Sequence, residues 1–360
     1  MNYMDKKLQN VIIISLALLT LIVVFLGEKK YEAEQTKYTE LSKEYKAKLN
    51  ERQANITRIE KSIESDMPGI VAWGDSITAG AGGNGTTYPK TLQGLIAREV
   101  YNIPVINMGA GGDNTQTIMG RAGSESFVVD SFTIPADTSP VEISLRSSNG
   151  NNVAPLRQGD VGINPVKING VEGTIYIEQE SAVSPDYTYK FQRTKGGKAV
   201  AIKDNSVLVT ATSSKYKNYV PIVFMGQNGG YEDAQDLIDQ INSIVNLDKS
   251  NKKFLVLGLT TGDKIYRADL EQAMKSEFGE RYINLREALS TNGLELAGIK
   301  PTKKDQEAMK IGAVPASLLS DEVHFSQKGY EVIGQVVFER MKKIGYFDNV
   351  TKLSNELKEL

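Results

Sequence analysis

The 360-residue sequence contains no cysteine and only one histidine, His324. Without cysteine there is no disulfide framework, thiolate zinc site, iron–sulfur cluster or thiol nucleophile. One imidazole per chain also excludes the zinc hydrolases that need two histidines. An excess of one charge is missing too. Against 44 Asp and Glu stand 42 Lys and Arg, a formal net charge of -2, so no basic face for nucleic acid is expected. The G-x-S-x-G elbow of the α/β-hydrolases occurs nowhere, and no pair of acids stands out for glycosidase chemistry. Gly80-Ala81-Gly82-Gly83-Asn84-Gly85 lacks the G-K-[ST] ending of a phosphate cradle and reads as a flexible loop beside a site. No cofactor and no metal are expected.

What is present suits a globular protein with appendages. The hydrophobic fraction is 40% and the charged fraction 24%, enough to build a core. The length exceeds that of one average domain. Val11 to Leu26 is an uncharged apolar run broken only by Ser15 and Thr20, and Leu8 and Gly27 extend it towards the roughly 20 residues that span a bilayer. Lys6 and Lys7 precede the run, which suits a cytoplasmic amino terminus over 1–7. Gly27-Glu28-Lys29-Lys30 does not resemble a small-residue cleavage site. Residues 8–27 therefore read as an uncleaved, single-pass signal-anchor in the cell membrane, with the remainder extracytoplasmic.

Residues 28–66 are rich in Glu, Lys, Gln and Ala and contain neither Gly nor Pro, so they predict one long helix. Tyr31, Tyr38 and Tyr45 recur every seven residues, and Leu41, Leu49, Ile56, Ile59 and Ile63 follow. Polar Lys48 and Gln53 interrupt the stripe. A helical stalk of roughly 50 Å is expected, and a stalk-mediated coiled-coil homodimer is the self-association that stripe would allow.

Met67-Pro68-Gly69 ends the helix and opens a different texture. Short apolar strands are expected at 70–73, 105–107, 222–225, 254–257 and 282–284, with helices at 88–100, 233–245 and 327–344. Their alternation predicts an α/β domain with a parallel sheet, built from 67–122 and 219–350. Between them, 123–218 carries strand-like alternation at 141–145, 174–178 and 206–210, with turn signals at Asn149-Gly150, Asn169-Gly170 and Gly196-Gly197. This segment is expected to be a β-rich insert, and 351–360 a C-terminal tail.

The chemistry follows from the residues available. A serine hydroxyl becomes a useful nucleophile when a base takes its proton, and imidazole is the base suited to neutral pH. A carboxylate behind the imidazole fixes its tautomer. Ser76 lies where the 70–73 strand meets a loop, and Asp321-Glu322-Val323-His324 supplies both base and carboxylate. Preorganised amides aimed at the developing oxyanion would complete such a site, and the Ser76 N–H is one of them.

Four segments resemble the blocks of the SGNH, or GDSL-like, hydrolases. Gly74-Asp75-Ser76 is similar to the nucleophile block. Val105 to Asp113 resembles the block whose glycine amide serves the oxyanion hole. Gly226-Gln227-Asn228 resembles the third block, and Asp321 with His324 the D-x-x-H block. Two departures stand out: Gly229 replaces the usual aspartate of the third block, and Ile77-Thr78 replaces the eponymous leucine. The resemblance covers about 67–122 and 219–346 and implies a flavodoxin-like three-layer α/β/α fold. It also implies a serine esterase with Ser76, His324 and Asp321 as triad, acting on an acylated small molecule or glycan. Counting along the matched blocks, it places the oxyanion donors on the amides of Ser76 and Gly112, with Gly109 and Gly111 as alternatives to Gly112, and on the Asn228 side chain. Carbohydrate O-deacetylation is the expected activity. The rivals are O-acetyl transfer, lipase or lysophospholipase activity, and a catalytically inactive surface binding or assembly role.

Overall fold

The computed structural model describes residues 3–156, 159–179, 186–250 and 252–360. The chain divides into two compact units, one reaching to Ser62 and taking in Glu356–Leu360, the other spanning Ile63–Asn355.

The first element, α1, runs unbroken over Tyr3–Asp66. Its apolar side chains from Leu8 to Leu26 are exposed all round the helix, which water disfavours and lipid satisfies. Among the described residues, this is the one helix long and apolar enough to cross a membrane. Thr20 Oγ1 donates to the Leu16 carbonyl at 2.8 Å, so that hydroxyl is satisfied within the helix. Tyr31, Tyr38, Leu41, Tyr45 and Leu49 are exposed as well.

In the second unit, β1 (Ile70–Gly74), α2 (Ser76–Ala79), α3 (Tyr88–Glu99), β2 (Val105–Gly109) and α4 (Thr115–Ala122) come first. After the intervening β-rich segment come β12 (Val220–Phe224), α5 (Ala234–Val245), β13 (Leu255–Leu257), α6 (Ala268–Phe278), β14 (Tyr282–Ile283), α7 (Leu285–Ala297), α8 (Lys303–Lys310) and α9 (Gln327–Lys343), and then α10 (Asp348–Glu359), whose residues from Glu356 are counted with the first unit. The five strands form one parallel sheet in the order β14-β13-β12-β1-β2. β1, β12 and β13 are buried at every position, as expected when helices cover both faces of a parallel sheet. Val71, Trp73, Val223 and Val256 join residues of α4, α5 and α6 in one apolar cluster. Ile70 and Ala72, equally buried, alternate to the opposite face. Each such buried Ile, Leu or Phe contributes about 1.5–3 kcal/mol.

The intervening segment is all β: β3 (Phe127–Val129), β4 (Phe132–Ile134), β5 (Val141–Ile143), β6 (Leu145–Ser147), β7 (Val166–Ile168), β8 (Val171–Gln179), β9 (Tyr187–Arg193), β10 (Val200–Ile202) and β11 (Ser206–Val209). Seven of these form an antiparallel, barrel-like sheet in the order β5-β9-β8-β7-β11-β3-β6, and β4 pairs with β10. Asn169 and Gly170 join β7 to β8 with φ of 50° and 80°, the positive pair a two-residue hairpin turn requires. Phe127, Ile134, Val166, Ile175, Phe191 and Leu208 belong to a core of its own.

The mixed α/β body and the β-rich region agree with the sequence reading, as does the long apolar amino-terminal helix. The final stretch differs. Residues 351–360, a tail in the sequence reading, belong mostly to the helix α10, in which Val350 and Ser354 are buried. Their apolar residues are sparse, so the stripe is easily read as a polar tail.

Candidate active site

Ser76 lies two residues beyond the last residue of β1 and opens the short helix α2. Asp75 caps that helix by accepting from the Ile77 amide at 2.9 Å, which leaves the Ser76 amide without an acceptor among the described residues. Gly74 allows the sharp turn: a Cβ there would lie 2.1 Å from Thr78 Oγ1 and 2.7 Å from the Phe224 carbonyl. The position is the carboxyl end of β1, between β2 and β12, where the strand order reverses and open α/β sheets bind ligands.

His324 arrives 248 residues later, on the segment that leads into α9. Its Nε2 stands 3.0 Å from Ser76 Oγ, and its Nδ1 stands 2.8 Å from Asp321 Oδ2. The other carboxylate oxygen of Asp321 accepts from the backbone amides of His324 at 2.7 Å and Val323 at 2.8 Å. These two amides, and then the imidazole, hold the Asp321 carboxyl down to about 2, so it is ionised at any working pH. An ionised carboxylate accepts from Nδ1–H, which leaves Nε2 as the acceptor for the serine proton.

The glycine loop 80–85 braces this segment. It is a run of tight turns, with Gly83 donating to Gly80 and Thr86 to Gly83. A Cβ at Gly82 would fall 2.0 Å from Ser320 Oγ, and Tyr330 Oη donates to the Ala81 carbonyl at 2.8 Å. The sequence suggests a flexible loop. In the structure it is instead packed against the residues that present His324.

Of the three expected oxyanion donors, Ser76 opens α2, while Gly112 and Asn228 lie on the loops after β2 and β12. Asn228 Nδ2 donates to the Asp113 carbonyl at 3.0 Å, fastening the loop after β12 to the loop after β2 and leaving its second N–H free. Gly112 sits in that β2 loop with φ 73°, and neither it nor Gly111 has an acceptor for its amide among the described residues. Gly109 is different. Its amide already donates to Asn107 Oδ1 at 2.9 Å, and a Cβ would strike the Ala79 backbone nitrogen at 2.1 Å. Its glycine is needed for close packing of α2 on β2, and its amide is spent. Asn228 and the glycine turn are thus tied to each other, and neither is hydrogen-bonded to Ser76.

Beneath the site lies a buried charge cluster the sequence did not reveal. Arg121 on α4 reaches Asp113 Oδ2 at 2.7 Å through Nε, the Met108 carbonyl at 2.7 Å and the Gly74 carbonyl at 3.0 Å. It ties together the ends of β1 and β2 and the loop bearing Gly112. Both side chains are nearly inaccessible, 1% for Arg121 and 2% for Asp113. Asp75 is also fully buried, and its Oδ2 has no hydrogen-bond partner. Burial pushes the Asp75 carboxyl up to about 7 against the pull of the Ile77 amide, and Asp113 adds repulsion. Burial also lifts Asp113 to about 6, opposed by Arg121. One cation serves two carboxyls and Arg121 contacts Asp113, so Asp75 is the carboxyl shifted further towards its neutral form. Nothing in a run such as Thr115–Ala122 marks its arginine as buried, although Asp113 and Arg121 are eight residues apart across a helix start.

Among the described residues, no three acidic or imidazole side chains converge as metal ligands would. No protein-family profile matches the chain, and no curated protein matches it.

Proposed function

We propose that this chain is a membrane-anchored serine esterase of the SGNH type, with a flavodoxin-like catalytic fold and its body outside the cytoplasm. The observation that carries the reading is the relay from Asp321 Oδ2 through the His324 ring to Ser76 Oγ, with contacts of 2.8 and 3.0 Å. The strand order and the β1 switch point are consistent with that fold.

In the reaction, Ser76 Oγ attacks the ester carbonyl carbon while its proton passes to His324 Nε2. The carbonyl oxygen becomes an oxyanion facing the amides of Ser76 and Gly112 and the free N–H of Asn228. Preorganised donors of this kind are worth about 3–4 kcal/mol each in the barrier. Collapse breaks the bond to the alcohol, which leaves with the proton from His324. Water then gives a proton to His324 as its oxygen adds to the acyl carbon, and Ser76 departs reprotonated, releasing the acid.

The apolar span of α1 and the β-rich segment support an enzyme displayed at a surface and acting on acylated glycan, with removal of O-acetyl groups as the activity. The test uses the full chain in detergent. A fluorophosphonate probe should label it, and Ser76→Ala should abolish labelling. A native protein that does not label is a binding or assembly factor instead. Labelled protein that turns over long acyl chains faster than acetyl esters is a lipase, and one that needs an acetyl donor and acylates glycan is a transferase.

A further inference from the structure

The loops that carry Asn228 and Gly112 also form one wall of a groove of about 790 Å³, whose other wall belongs partly to the β-rich segment. Asn114 lies two residues beyond Gly112, and Gly230 two beyond Asn228. Asn149 and Asn151 come from the turn after β6, Tyr231 from the loop before α5 and Gln235 from its first turn. The floor is connected. Asn149 Nδ2 donates to Gln116 Oε1 at 2.8 Å, and Gln116 Nε2 donates to the Gly230 carbonyl at 3.0 Å. The same carbonyl accepts from Thr115 Oγ1 at 2.6 Å and Gln240 Nε2 at 3.1 Å. The β-rich segment is therefore hydrogen-bonded, through Gln116, to the loop that presents Asn228.

The lining has a definite chemistry. Seven amide side chains and one tyrosine supply paired donors and acceptors and an aromatic face, as polyhydroxylated ligands need. Gln240 is only 8% exposed, and its Nε2 donates to the Gly230 carbonyl and to Asp236 Oδ2 at 3.0 Å, so the wall on that side is held in place by hydrogen bonds. Five carboxylates also line the groove, including Glu232, Asp236 and Asp239, and no Lys or Arg does. Such a field repels anions. Phosphate-bearing and uronic-acid substrates are disfavoured there, while neutral or amine-bearing sugars are not.

We infer that this groove is the glycan-binding subsite of the enzyme and selects neutral or amine-bearing acylated oligosaccharides over anionic ones. The inference rests on the esterase reading for its acyl chemistry, and on the groove alone for its ligand. Its test uses the full chain in detergent with three probes: an O-acetylated neutral oligosaccharide, an O-acetylated glucosamine oligosaccharide and an O-acetylated oligouronide. The first two should have KM values at least about tenfold below that of the third. Tyr231→Ala and Gln235→Ala together should lower kcat/KM on the neutral oligosaccharide, relative to that on 4-nitrophenyl acetate, by about tenfold, mostly through KM. Glu232→Lys with Asp239→Lys should narrow or reverse the discrimination against the uronide. Calorimetric titration of Ser76→Ala with the neutral oligosaccharide isolates binding from chemistry. Binding without any turnover by the native chain leaves the groove standing and removes the esterase. Turnover of 4-nitrophenyl acetate without oligosaccharide binding, or equal KM for all three probes, overturns the groove.

Discussion

Arg121 Nε and Asp113 Oδ2 meet at 2.7 Å in almost complete isolation from solvent, directly behind the turn that holds Gly112. A buried pair of this kind adds little net stability, but breaking it strands a charge. Arg121→Met should therefore cost about 3–5 kcal/mol in denaturant unfolding. Combining it with Asp113→Leu should recover part of that loss. If the double variant is no more stable than the single one, the arginine acts mainly through the Gly74 and Met108 carbonyls.

Removing the nucleophile or the base should abolish hydrolysis. Ser76→Ala and His324→Ala are each expected to lower kcat on 4-nitrophenyl acetate by about 10⁴-fold or more, with the circular dichroism spectrum unchanged. Asp321→Asn should cost less, about 10²–10⁴-fold, because its half-exposed carboxylate is screened by water. Equal losses for all three would show that solvent screening is unimportant here.

Asn228→Ala should lower kcat by about 10²–10³-fold with KM little changed, the pattern of a donor used only in the transition state. Asn228 also holds the Asp113 carbonyl, so a melting temperature must accompany the kinetics. A drop confined to stability would remove Asn228 from the oxyanion site.

The buried Asp75 predicts a pH signature. Its folded carboxyl is raised to about 7 from 3.8, so the folded state holds a proton that the unfolded chain has released. The resulting stability is whole below about pH 4 and is lost as pH rises through about 7, by linkage. At roughly 1.4 kcal/mol per pH unit, the native chain should lose a few kcal/mol over that window relative to Asp75→Asn. The variant retains an acceptor for the Ile77 amide, so the comparison isolates the titration. Parallel stability curves would mean that Asp75 is ionised throughout.

The sheet was readable because its strands are short, apolar and bounded by Gly, Pro or Asn, as at Ile70–Gly74 and Val220–Phe224. Asp233 and Ser326 could be read as helix starts because each caps its helix from the side chain. By contrast, α4 is buried on all sides and shows no stripe, so Thr115–Ala122 carries no periodic signal. The pairing order of the β-rich segment depends on contacts between distant strands, such as β3 with β11, which alternation alone does not encode. Ser76, Asp321 and His324 could be named because so few residue types are chemically competent. Asp75 and Arg121 could not, since burial is a property of the assembled fold.

The β-rich segment leaves and rejoins the parallel-sheet body through a narrow neck: a Cβ on Gly123 would stand 2.3 Å from the carbonyl oxygen of Ser213. Two chain ends that nearly touch can be bridged by a short turn, so replacing 124–212 with such a turn should leave the course of the parallel sheet unaltered.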